Sequence, residues 1–251
     1  MLILGFISLL ARVVLFIIWL LPFFSTFIIM KKAALLLIFS CSIYSYGQNI
    51  PKGFVYLSNI ETSIQSELRY ISNNNFIGKP IEGYIHKTVI LSEPTAFALK
   101  RIQEKLAPFN LSLKIFDAYR PQQAVDHFVR WAKVLNDTLM KQQYYPNVAK
   151  NNLFLLGYIA SKSGHTRGST VDLTIVDLAT GKELDMGSPY DYFGEESHPL
   201  QKNLSIIQRA NRLLLRALLL SNGFKPYENE WWHFTLKNEP FPETYFNFPV
   251  K

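Results

Sequence analysis

Three short segments of this 251-residue sequence gather chemistry-bearing side chains among apolar neighbours. They are Asp117-Ala118-Tyr119-Arg120-Pro121, the run from Ser163 to Asp172 (SGHTRGSTVD), and Glu230-Trp231-Trp232-His233. The chain has five histidines and one cysteine, Cys41, which excludes an internal disulfide framework and a cysteine-built zinc finger. A metal site must then draw on histidine and carboxylate. Catalytic zinc takes three protein ligands and keeps one position open for water. His165, Asp172 and His233 form a suitable His-Asp-His set, with Glu230 left free as a base. Spacing adds a condition, because side chains seven or three apart on a continuous strand point to opposite faces. His165 must therefore lie before the strand of Asp172, with Gly164 and Gly168 bending the chain. Glu230 must precede the straight part of the strand that carries His233.

The elements that would position these groups are legible in outline. Ser92-Glu93-Pro94 opens a helical pattern with Leu99, Ile102 and Leu106 on one face and Pro108 just beyond its end. Leu111, Leu113 and Ile115 alternate with Ser112, Lys114 and Phe116, as in a strand with one face on the core, and this strand delivers Asp117–Pro121. Residues 122–135 read as a helix with Val125, Phe128, Trp131 and Ala132 on its buried stripe. Residues 171–176 alternate again, and residues 204–220 read as a helix whose apolar face is Ile207, Ala210, Leu214, Ala217 and Leu218, stopped by Gly223. Trp231–Thr235 is the last strand, with both tryptophans as core. Without a regular βαβ alternation this is an α+β fold: a single domain with a mainly antiparallel sheet flanked by helices, the zinc site on the sheet. His127 reads as a packing or surface residue of its helix, and His86 and His198 as loop residues. Arg120 could pair with Asp117 in a turn, and Arg167 could orient a ligand or hold its loop.

Four blocks in order carry a resemblance: Asp117–Pro121, Ser163–Thr174, Met186-Gly187-Ser188-Pro189-Tyr190-Asp191 and Glu230-Trp231-Trp232-His233-Phe234. In sequence and spacing they resemble the VanX-type D-alanyl-D-alanine dipeptidases. The resemblance runs from about Ile60, through Leu68-Arg69-Tyr70 and Asn75-Phe76-Ile77-Gly78, to Phe234, and includes none of residues 1–47. It implies an α+β peptidase with one Zn²⁺ per chain held by His165, Asp172 and His233, and Glu230 as general base. It implies further that Arg120 stabilises the tetrahedral intermediate, that Asp191 receives the free amino group of a small D,D-dipeptide, and that Ser163 contacts the substrate. One departure is Gly164, where the family has serine, which would loosen the backbone beside the first ligand. Two rival functions remain: a zinc D,D-carboxypeptidase or endopeptidase on longer peptidoglycan stems, and a non-catalytic cell-wall binding module with structural zinc, which would have no need of Glu230.

Residues 1–47 have a different composition. Only Arg12, Lys31 and Lys32 carry charge there, so removing three positives from the +7 of the whole chain leaves a mild +4 for residues 48–251. The basic residues are scattered, and nothing favours a nucleic-acid partner. Residues 30–47 have the basic start, apolar run and small residues of a signal peptide. Met30 then reads as the start and residues 1–29 as an upstream apolar extension. The competing readings are a membrane anchor formed by 1–29 and lipidation of Cys41. Each gives an exported domain, periplasmic in the first reading, whose membrane contact is limited to the amino-terminal segment.

Overall fold

The two segments with the clearest strand alternation form the middle of the sheet. A computed structural model describes residues 50–251; the expectations for residues 1–47, including Cys41, lie outside the described residues. In chain order the strands are β1 (Phe54–Tyr56), β2 (Gln65–Ser66), β3 (Ile90–Ser92), β4 (Leu111–Asp117), β5 (Thr170–Asp177), β6 (Lys182–Glu183), β7 (Phe224–Tyr227) and β8 (Glu230–Leu236). The helices are α1 (Glu93–Leu106), α2 (Gln122–Lys133), α3 (Lys141–Tyr144) and α4 (Ile206–Ser221). The main sheet has the order β2-β4-β5-β8-β7, with β6 beside β5, and β1 pairs with β3 separately. Only β2 against β4 is parallel; the other pairs are antiparallel. The mixed, mainly antiparallel architecture agrees with the sequence reading. Among the described residues no helix is long and apolar enough to cross a membrane.

Two corrections follow from packing. Strand β4 was expected to have one core face, yet Ser112 and Asp117 are buried as fully as Leu113 and Ile115. It is an interior strand with apolar clusters beside it, one built on Leu99, Leu113, Leu173 and Trp232, the other on Phe54, Tyr70, Phe128 and Trp131. Its polar groups are satisfied inside: Gln103 of α1 donates to Ser112 Oγ at 3.1 Å and accepts from the Leu113 amide at 2.9 Å. The second correction concerns α4. The expected apolar face is mostly in water, with Ile207 69% and Leu214 38% exposed, while Arg212, Leu215 and Leu219 face the protein. Arg212 decides the rotation. Its guanidinium donates to the carbonyls of Met186 (2.6 Å), His198 (2.7 Å) and Glu196 (2.7 Å), each of which a leucine would leave unpartnered.

Candidate active site

His165 occupies a single 3-10 turn, Gly164–Arg167, immediately before β5. Ser163 caps the turn, its Oγ accepting from the His165 amide at 3.3 Å. Gly168 ends it in the left-handed region at φ 78°, where an added Cβ would collide with the Phe54 ring. Gly164 is not loose: a Cβ there would lie 2.6 Å from Thr170 Oγ1, and that hydroxyl is bonded to Thr235 Oγ1 at 2.8 Å. Arg167 holds the loop, with two hydrogen bonds of 2.7 and 2.8 Å to Glu239.

Strand pairing delivers the other two metal-binding candidates. Asp172 of β5 is the antiparallel partner of His233 on β8, so both project on one face. A bulge between Ile115 and Asp117 brings Asp117 into the same row. Glu230 reaches this face because the β7–β8 register breaks: Pro226 pairs with Phe234 but Tyr227 with Glu230. Glu230 Oε2 then lies 3.5 Å from His233 Nδ1. The condition set by the three-residue spacing is met by this irregularity.

The candidate ligand atoms converge. Asp172 Oδ1 is 3.2 Å from His165 Nε2 and 3.1 Å from His233 Nδ1, and the two nitrogens are 3.3 Å apart. His165 donates its Nδ1 proton to the Ala118 carbonyl at 2.7 Å, so its Nε2 presents a lone pair. Asp172 Oδ1 is buried without a hydrogen-bond donor. An imidazole lone pair facing an unsatisfied carboxylate oxygen is an arrangement that a cation bound by both would satisfy. The donor set of two imidazole nitrogens and one carboxylate oxygen fits catalytic zinc. Burial keeps His233 below its ordinary pKa, hence neutral and able to ligate. Burial opposes the charge on Asp172, but the two histidines outweigh it and hold this carboxyl well below its usual range.

Arg120 both pairs with Asp117 and faces the cleft. Its Nε and Nη2 donate to Asp117 Oδ2 at 2.9 and 2.8 Å, and Nη2 lies 3.5 Å from Asp172 Oδ2. The guanidinium sits over the rings of Tyr70 and Phe128, 5.1 and 5.2 Å from their centroids. Tyr84 completes the brace by donating to Asp117 Oδ1 at 2.6 Å.

The surrounding cleft is about 240 Å³ and is lined by Arg120, Ser163, Asp172, Asp191, Glu230 and His233 together with aromatic side chains. It is smaller than the ~300–1,000 Å³ of drug-sized ligand sites. Asp191 stands at one wall with φ 62°, accepting from Tyr70 at 3.2 Å through Oδ1, while Oδ2 is buried without a partner. Burial and the nearby Asp172 push its pKa up to about 8. Burial, followed by Asp172 and Asp191, also raises Glu230 well above the ordinary glutamate. Six of the seven site residues singled out in the sequence therefore line one cleft, and the seventh, His165, is buried against it with its Nε2 3.2 Å from Asp172 Oδ1. Two tyrosines missing from that set belong to it: Tyr190, whose hydroxyl lies 3.1 Å from Asp172 Oδ2, and Tyr70, 3.2 Å from the Tyr190 hydroxyl. Tyr70 and Tyr190 lie within matching blocks, but a tyrosine carries no spacing signal of its own. Trp231 and Trp232 are core, as expected, and His127 packs beside Glu82.

Comparison with known proteins gives one consistent result. The profile of the family described as D-ala-D-ala dipeptidase (peptidase family M15) matches residues 51–251. Curated relatives named D-alanyl-D-alanine dipeptidase include one from Enterococcus faecalis, 42% identical over 198 residues, covering 79% of this chain and 98% of the relative. A second, from Enterococcus faecium, is 39% identical over 79% of this chain and 98% of its own length. A third, from Streptomyces coelicolor, is 39% identical over 78% and 98% respectively.

Proposed function

The chain belongs to the D-Ala-D-Ala dipeptidase family of peptidases, and from that premise we propose that it hydrolyses D-alanyl-D-alanine, or a close D,D-dipeptide, to free D-amino acids with zinc held by His165, Asp172 and His233. Zinc at this site supplies Lewis acidity, which makes water a competent nucleophile near neutral pH and polarises the carbonyl. The protein's own groups supply the rest. Glu230, 13% exposed at its side chain, takes a proton from the attacking water and returns it to the leaving amine. Arg120, fixed by Asp117 and Tyr84, offers a permanent positive charge to the oxyanion that develops at the carbonyl. Asp191 pairs with the substrate ammonium, and Ser163, which also lines the cleft, contacts the substrate.

The observation that carries the dipeptidase reading is the buried, unpartnered Oδ2 of Asp191 in a small cleft. A free ammonium satisfies it, whereas an acylated amino end brings no charge to it and needs further room. The test compares D-Ala-D-Ala with N-acetyl-D-Ala-D-Ala, using protein of measured zinc content. The free dipeptide should be cleaved at least ~10²-fold faster in kcat/KM, the effect of one lost buried ion pair of about 3 kcal/mol. Faster cleavage of the acetylated substrate would instead establish a carboxypeptidase, and zinc binding without hydrolysis of either would establish a binding module. Reading residues 30–47 as an export segment, we place this chemistry outside the cytoplasm, in the metabolism of cell-wall peptides. Fractionation of the native host is the corresponding test.

A further inference from the structure

Beside the cleft lies a second, larger cavity of about 620 Å³, bordered by Leu155, Leu156, Glu195, Glu196, His198 and Asn229. Three segments of the chain pass from one space to the other. Gly157, Phe193 and Glu230 line the cleft, while their neighbours Leu156, Gly194 and Asn229 border the second cavity. Among the described residues Tyr158 alone lines both. Where it stands, the partition between the two spaces is a single side chain.

That side chain is held in place by its backbone and by its ring. The Tyr158 amide donates to the Leu153 carbonyl at 3.0 Å, the Tyr227 hydroxyl to the Gly157 carbonyl at 3.1 Å, and the Asn229 side-chain amide to the Leu156 carbonyl at 3.0 Å. Gly157 stands at φ 79°, and a Cβ there would lie 2.6 Å from the Tyr227 hydroxyl, so this close approach requires glycine. The Tyr158 ring stacks on Phe193, with centroids 4.9 Å apart and planes 19° from parallel. Phe193 lies two residues beyond Asp191, so the stack stands on the side of the cleft that takes the substrate's amino end. The hydroxyl senses both spaces: burial, then Glu230 of the cleft and Glu196 of the second cavity, push its pKa up to about 12. A free dipeptide ends at its ammonium. A peptide extended through that nitrogen must continue past Asp191 towards the Phe193–Tyr158 stack, where the cleft of about 240 Å³ stops although about 620 Å³ lie behind the ring. The charge of Asp191 disfavours every acylated amine whatever its size, whereas the Tyr158 ring disfavours it according to its length.

Resting on the dipeptidase reading of the cleft, we propose that Tyr158 is a specificity-determining residue: its ring confines the chain to dipeptides by closing the cleft off from a second cavity able to take the preceding residue of a longer peptide ending in D-Ala-D-Ala. Two blocked substrates that both lack the ammonium separate this effect from that of Asp191. They are N-acetyl-D-Ala-D-Ala and Nα,Nε-diacetyl-L-Lys-D-Ala-D-Ala, and with zinc-loaded protein the ratio of their kcat/KM values reports room alone. The unmodified protein should favour the acetyl substrate. Tyr158→Ala should raise the relative cleavage of the lysyl substrate at least ~10-fold, the scale on which a pocket discriminates by size. Tyr158→Leu, which keeps an aliphatic contact with Phe193 should the alanine variant be unstable, should shift the ratio in the same direction. Tyr158→Phe retains the ring and should retain the unmodified ratio. A merely structural defect lowers all substrates together, so an unchanged ratio, or loss of all turnover, in both the alanine and leucine variants would overturn the proposal. So would an equal shift in Tyr158→Phe, which would assign the effect to the hydroxyl. Cleavage of either blocked substrate faster than D-Ala-D-Ala by the unmodified protein would overturn the dipeptidase reading itself, and the proposal with it.

Discussion

Replacing Asp191 by asparagine should stabilise the metal-free protein while disabling it. Asp191 is 5% exposed, and its pKa stands at about 8 because burial and Asp172 disfavour its charge. In the unfolded chain the same carboxyl titrates near 3.9. Below pH 4 it is protonated in both states and carries no penalty. As pH rises from 4 to 8 the unfolded chain releases the proton and the folded chain retains it, so folding stability is lost across that window and levels off above it. At pH 7 the gap is about three pH units, which at 1.36 kcal/mol each sets an upper value near 4 kcal/mol. Asparagine has no charge to suppress, accepts the left-handed backbone that Asp191 adopts, and can still accept from Tyr70. At about 2–4 °C per kcal/mol for a domain of this size, the melting midpoint should rise by roughly 5–10 °C at pH 7–8 and converge with the original near pH 4. The assay is calorimetry of metal-free protein from pH 4 to 9. In parallel, kcat/KM for D-Ala-D-Ala should fall ~10²–10³-fold, as expected on losing a buried charged partner. A midpoint that falls at pH 8, or a difference independent of pH, would refute the claim that Asp191 is held there against its own solvation.

Three further outcomes follow from the same geometry. Glu230→Gln should retain metal content and lose ~10²–10⁴-fold in kcat, measured beside metal analysis, since it removes proton transfer and leaves the three ligands in place. Tyr190→Phe removes the hydrogen bond to Asp172 Oδ2 and should weaken metal binding ~10-fold or more in a chelator competition, with a stability change near 1 kcal/mol by denaturant titration. Gly168→Ala forces a side chain into the Phe54 ring at positive φ and should cost about 2 kcal/mol or more by denaturant titration, with reduced metal affinity because His165 depends on that turn.

The parts of the site legible in the sequence are those whose chemistry is uncommon. Histidine and carboxylate in a chain with one cysteine narrow the metal ligands to a few residues, and alternation fixes the strands that carry them. The means by which the site closes were less accessible. The three-residue spacing of Glu230 and His233 required an irregularity without saying which, and the structure supplies a break in the β7–β8 register. Tyr70 and Tyr190 were invisible as site residues because a buried tyrosine ordinarily packs, and their role depends on where Asp172 and Asp191 lie in space. Gly164 was expected to loosen the turn; Thr170, six residues later in sequence, occupies the space beside it.

Helix α4 shows why the remaining error arose. Periodicity identifies residues that avoid water but not what they avoid it against. Residues 206–220 contain enough aliphatic side chains for two stripes, and the more continuous one was assigned to the core of the chain. The burial of Arg212 reverses that choice, because its guanidinium satisfies three loop carbonyls at 2.6–2.7 Å beside the segment that bears Asp191. A leucine in its place would leave those carbonyls unpaired and the Asp191 loop unbraced, whichever stripe faced inward. The polar requirement of the active-site loop thus sets the rotation of the helix, and the second aliphatic stripe is the one turned outward.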